Sequence, residues 1–85
     1  MRINTKLPQG LTGISKLMGM QNEEVRACPY YKELVNLFKD YNYGVLHKES
    51  LIQRLKDISN KCNKEGIEYF AEGVNNASTA IAVLY

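Results

Sequence analysis

Apolar positions recur along the chain at helical spacing, and the clearest run comes last. Ile67, Phe70, Val74, Ala77, Ile81 and Leu84 follow one another at intervals of 3, 4, 3, 4 and 3. That is the seven-residue repeat of a seam that faces another helix. Upstream, Leu51, Leu55, Ile58 and Cys62 fall at 4, 3 and 4, with Ile52 beside them. Tyr30, Leu34, Leu37 and Tyr41 repeat the 4, 3, 4 spacing, flanked by Tyr31, Val35 and Phe38. Leu11, Ile14, Leu17 and Met18 mark a shorter helix, capped by Thr12 or a neighbour and ended near Gly19. Asn22 with Glu23, Glu24 and Val25 has the form of a second helix start, its acids near the positive end of the dipole.

The breaks between these runs are chemically marked. Proline suits the first position of a helix, so a helix is expected to start at Pro29. Gly44 and Gly66 can supply the positive φ of a C-terminal cap. The predicted fold is therefore all-α, a small helical bundle. It comprises a short N-terminal helix or helix pair and three helices near 29–43, 47–65 and 67–85, joined as antiparallel neighbours. Residues 1–10 hold Pro8 and Gly10 without periodicity and read as an N-terminal arm, with 11–85 as a single domain. Gly73, Asn75, Asn76, Ser78 and Thr79 are indifferent or poor helix formers, and AIAVLY has the composition of a strand. The seam spacing nevertheless runs through both stretches, which favours helix.

Length adds a constraint. An all-helical domain of 85 residues buries only about 60–65% of its chain surface. Self-association is therefore expected as further burial, most of all for a seam that runs to Leu84 and ends in AIAVLY. The longest apolar run is the last six residues, Ala80 to Tyr85, against about 20 needed to cross a bilayer. Met1 to Gly10 has no apolar core of the signal-peptide kind, which predicts a cytoplasmic protein. Cys28 and Cys62 are too few for a disulfide scaffold and lack CxxC spacing, so both read as free thiols on apolar faces.

Charge excludes little as a total and more as a distribution. The net charge of +2 and pI near 8.6 fall short of the strongly basic balance of nucleic-acid-binding domains, about 9 or above. Between His47 and Lys64 there are five cations (Lys48, Arg54, Lys56, Lys61, Lys64) against Glu49 and Asp57. From Ile67 onward only Glu68 and Glu72 are charged. A basic helix packed against a mildly acidic one is the expectation.

Nothing in the chain has the spacing of a catalytic or metal-binding motif. His47, the one histidine, stands where a helix should begin and reads as a surface or capping residue. Cys28, Cys62 and His47 have no ligand spacing, and Gly10-Leu11-Thr12-Gly13 lacks the lysine of a phosphate-binding loop. The chain is expected to be no enzyme and to need no cofactor or metal.

Three binding readings remain. Five of the eight aromatics lie between residues 30 and 43, on more than one helical face. Tyrosine combines an apolar body with a polar tip, so Tyr30, Tyr31 and Tyr43 are candidate protein-contact residues. The leading expectation is thus a small non-enzymatic helical protein that binds a protein partner, itself, or both. An accessory or inhibitory protein of phage or mobile-element type fits that size.

The alternative is a DNA-binding regulator using residues 14–28. Ser15, Gly19, Met20 and Val25 fill the small, turn and apolar places of a helix-turn-helix. Lys16, Gln21, Asn22 and Arg26 would then face DNA. With Tyr30-Tyr31 after it, the stretch loosely resembles the reading head of MerR-type regulators. It departs from them in the inserted Ala27-Cys28-Pro29 and in the acids Glu23 and Glu24. A third reading takes the His47, Arg54, Lys61 stripe, at i, i+7 and i+14. In an oligomer, Arg54 and Lys61 could meet Asn75, Asn76 and Thr79 around a small ligand such as a nucleotide.

Overall fold

The computed structural model describes residues 6–85. The first half of the expected arm, residues 1–5, lies outside the described residues. Five helices follow: α1 (Leu11–Met18), α2 (Asn22–Arg26), α3 (Tyr31–Asn42), α4 (Lys48–Lys64) and α5 (Glu68–Leu84). The described residues contain no strand, so the all-α expectation holds and the N-terminal segment is a helix pair.

The frame is the α4–α5 hairpin. Leu51, Leu55, Ile58 and Cys62 of α4 are fully buried, as are Val74, Ala77 and Ile81 of α5. Each of the leucine, isoleucine and valine side chains among them contributes about 1.5–3 kcal/mol by leaving water. The two helices are therefore joined by their apolar faces. One polar bond crosses between them within the core, where Ser59 Oγ donates to the Ala71 carbonyl at 3.1 Å. The hairpin reverses at Gly66, whose φ of 79° lies in the left-handed region that side chains resist.

Around this frame α3 and α1 run alongside. Tyr30, before α3, bonds to Glu65 after α4, while the end of α3 lies by the start of α4; the two helices are antiparallel. On α5, Asn76 donates to the Met18 carbonyl at 3.2 Å, and Tyr85 lies by Gly13 and Leu17; α1 and α5 are antiparallel. Phe38, Leu34, Ile14, Met18 and Val25 complete the core. The resulting body is elongated, with extents of 41 × 23 × 20 Å.

Two local expectations change, and two alternatives left open by the sequence are resolved. Pro29 does not open α3. The Tyr31 N–H donates to the Cys28 carbonyl at 3.1 Å, and Tyr30 has φ −102° and ψ 12°. Those are the features of a type I turn with proline at its second position, where its fixed φ fits. Thr12 is not a cap. Gly10 holds that place, and Thr12 accepts a hydrogen bond from Asn22 Nδ2 at 3.3 Å. The seam of α5 stops at Ile81, because Tyr85 turns in against the core while Leu84 stays exposed. AIAVLY is helix through Leu84, not strand.

The described part of the arm is tightly held. Leu7 is buried in the core. The Asn42 amide grips its backbone at both ends: Oδ1 accepts from the Leu7 N–H at 2.6 Å and Nδ2 donates to the Leu7 carbonyl at 2.8 Å. Lys6 Nζ donates to the Asn42 carbonyl at 2.9 Å, placing a cation at the negative end of α3. Pro8 lies over Gly13 so closely that a Cβ there would meet the proline ring at 2.4 Å. Asn42→Ala removes both partners of the Leu7 peptide. It should destabilise the fold by about 1–3 kcal/mol, read as a lower urea midpoint. Asn42→Asp should be no better, since a carboxylate cannot donate to the Leu7 carbonyl.

Candidate interaction surface

Antiparallel packing brings three chain segments to one pole of the bundle. They are the arm, the end of α3 with the loop to α4, and the end of α5. Two shallow depressions open there, of about 430 Å³ and 570 Å³. The first is lined by Leu7, Pro8, Gly13, Lys16, Leu17 and Tyr85, and the second includes Tyr41, Leu46 and His47; Lys6 borders both. Around them stand four large apolar side chains with little cover: Tyr43 (69% exposed), Val45 (73%), Val83 (75%) and Leu84 (60%). Of the large apolar side chains this exposed among the described residues, only Tyr69 lies elsewhere. Lys39 Nζ sits 6.0 Å from the Tyr43 ring centroid, so a cation rests on that ring.

The expected tyrosine set is divided by this geometry. Tyr43 belongs to the pole. Tyr30 and Tyr31 lie at the far end of α3, roughly 18 Å away at 1.5 Å per residue. There Tyr30 is half-buried and donates its hydroxyl to Glu65 Oε2 at 2.6 Å. That hydrogen bond, with burial and the Glu65 charge, pushes its pKa up to about 12. Sequence reasoning missed Val45 and Val83. Val45 follows Gly44 in a loop, and Val83 lies off the periodic seam, so neither carries a spacing signal.

At the opposite pole Tyr69 donates its hydroxyl to Glu24 Oε1 at 2.7 Å, tying α5 to α2. The same carboxylate oxygen accepts from the Gln21 N–H at 2.9 Å. The two bonds, Tyr69 first, hold the Glu24 carboxyl below its ordinary range.

Residues 14–28 form two helices around a turn. Gly19 has φ 68°, and Ile14, Ser15, Met18, Val25 and Cys28 are buried. Lys16, Gln21 and Asn22 line one depression of about 370 Å³ with Thr12, Ser15, Met20 and Glu23. Arg26 is one helical turn beyond Asn22 and exposed. Ser15 Oγ is buried without a partner among the described residues, so its value there is small size. Helix α2 has five residues, about 7.5 Å in length.

Arg54 and Lys61 are exposed on α4, and Asn75, Asn76 and Thr79 on α5. Asn76 is committed to the Met18 carbonyl of α1. Arg54 and Lys61 border none of the depressions described above. His47 is the exposed N-cap of α4 without a side-chain capping bond.

Both cysteines are free and buried, as the sequence led one to expect. Burial raises the Cys28 thiol and pushes Cys62 from 9.0 to about 11, with the nearby Cys28 and Glu65 adding to the latter. No group of three or more His, Cys, Asp or Glu among the described residues could hold a metal ion. No described helix is long and apolar enough to cross a membrane. Comparison with family models, curated proteins and solved structures finds no match to this chain.

The raised thiol has a pH consequence. A folded-state pKa above the unfolded value means that folding favours the protonated thiol. Its contribution is complete below about pH 9 and is lost as pH rises toward 11. Urea midpoints should fall across that window, and less steeply in Cys62→Ala when each variant is referred to its own neutral-pH value.

Proposed function

We propose that this chain is a non-catalytic helical binding protein. It works by protein–protein contact, including contact with its own copies, through the pole where α3 and α5 end. The observation that carries the reading is that the exposed Tyr43 and Val45, after α3, and Val83 and Leu84, of α5, lie at the same end of the body. Exposed apolar groups scattered singly are ordinary on a protein surface, whereas grouped ones mark contact sites. Tyr43, with an apolar ring and a polar tip, is the natural anchor. The shallow depressions beside it suit a protein surface better than a small molecule, which pockets enclose more fully.

Tyr43→Glu and Val83→Glu test this reading without disturbing the core, since exposed substitutions change stability by only about 0.5 kcal/mol. Sedimentation of the native chain should give a mass above the 9.7 kDa of one copy. The paired substitution should return it to that mass with an unchanged helical spectrum. A native chain that sediments as one copy and retains no protein partner defeats the proposal.

A second reading, DNA binding, is favoured by one observation. The turn at Gly19 and the burial of Ser15 and Val25 follow helix-turn-helix spacing. Against it stand the five-residue α2 and its acids Glu23 and Glu24. If DNA is the partner, duplex affinity should fall steeply with salt, and Arg26→Ala should weaken it with a shallower salt slope. Binding that is absent at low salt removes this reading.

A further inference from the structure

The turn between α1 and α2 is seated on α5 by a methionine sulfur. Gly19, with φ 68°, ends α1. Its N–H donates to the Lys16 carbonyl at 3.2 Å, and the Met20 N–H donates to the Ser15 carbonyl at 3.0 Å. That is the Schellman pattern, which folds the residue after the left-handed glycine back toward the helix it ends. Here it delivers Met20 to Gly73 of α5. The Met20 sulfur lies so close to Gly73 that a Cβ there would overlap it, and the Met18 methyl would be 3.2 Å from that Cβ. The sulfur therefore rests on bare helix backbone.

Polar links surround this seat. Asn76 donates to the Met18 carbonyl at 3.2 Å, and the Tyr69 hydroxyl donates to Glu24 Oε1 at 2.7 Å. Between them remains a cavity of about 50 Å³, bordered by Met20, Gly73, Tyr69 and Glu72. A water needs about 10–15 Å³, so an oxidant not much larger than water can enter. The two described methionines differ in access: Met18 is fully buried, whereas Met20 is half-buried. The other sulfurs among the described residues, the thiols of Cys28 and Cys62, are buried and held protonated, which slows their oxidation.

We propose that Met20 is a site of reversible oxidation by hydroperoxides, and that its sulfoxide releases the α1–α2 turn from Gly73. The sulfur lone pair attacks one peroxide oxygen, and the O–O bond breaks as the S–O bond forms. Sulfur gives up two electrons. The proton of the transferred oxygen moves to the leaving one, which departs as an alcohol or, from hydrogen peroxide, as water. The product carries a polar oxygen on a sulfur with no room on its Gly73 side. Keeping that oxygen unbonded in the contact is unfavourable, so the side chain turns out to water. A methionine sulfoxide reductase reverses the step: a dithiol is oxidised to a disulfide and the oxygen leaves as water.

Hydrogen peroxide applied to the full native chain tests the site. Fragment-ion mass spectrometry should find the added oxygen on Met20 before Met18. In the oxidised chain, amide hydrogen exchange should quicken about tenfold in α1 and α2 and stay unchanged in α4, and the reductase should restore it. Met20→Leu keeps an apolar group on the seat, so its exchange and urea midpoint should not respond to peroxide. Gly73→Ala displaces the sulfur beforehand, so Met20 should oxidise faster there and with less effect on exchange. Equal oxidation rates at Met18 and Met20 in the native chain overturn the site. A sulfoxide at Met20 that leaves exchange in α1 and α2 unchanged overturns the release. So does a Met20→Leu chain that responds to peroxide as the native chain does.

Discussion

The structure depends on the contact between α4 and α5. Each of the other helices is too short or too polar to find its place without that hairpin to pack on. α1 spans eight residues and α2 five, well under the dozen or so at which an isolated helix is even marginal in water. α4 and α5, with seventeen residues each, give one another a continuous apolar face from Cys62 to Leu51 and from Ala71 to Ile81. The buried Ser59 hydroxyl finds its acceptor across that face at Ala71, so close packing leaves this polar group satisfied. Everything else is placed by what the hairpin leaves uncovered.

Three tethers then set the poles. Asn42 fixes the arm to the end of α3, Tyr30 fixes the start of α3 to the end of α4, and Tyr69 fixes α5 to α2. The Tyr30 and Tyr69 tethers join a phenol to a carboxylate, and such charge-assisted bonds are stronger than neutral ones. The Tyr30 hydroxyl, which sequence reasoning assigned to a partner, is thereby used inside the fold. Tyr43 is different: its ring carries Lys39 and is otherwise open, which is why it anchors the proposed contact.

Much of the fold is legible in the residues. The 3-and-4 spacing of Leu51, Leu55, Ile58 and Cys62 defined a buried stripe, and all four side chains are in it. The spacing of α5 carried helix through Asn75, Asn76 and Thr79 in spite of their weak propensity, because packing outweighs a few tenths of a kcal/mol per residue. It failed at Leu84, where periodicity alone continues the seam. Tyr85 packs against the core and lines one depression with Leu7 and Pro8, while Leu84 stays exposed. The proposed contact surface was harder to read. Tyr43 was found by its chemistry, but Val45 and Val83 became notable only when distant segments met at one pole.

The sequence by itself determined the class of structure: helices, their approximate limits, the buried stripes and the two inert thiols. These follow from short-range periodicity and composition, which act within a few turns of one helix. Tertiary structure decided which exposed groups share a surface, dividing the tyrosines between two poles and uniting the loop after α3 with the end of α5. It also placed Leu7 of an unperiodic arm in the core, held by one asparagine 35 residues away. No local pattern encodes such neighbours, because they meet only after the apolar faces of α4 and α5 have aligned the chain.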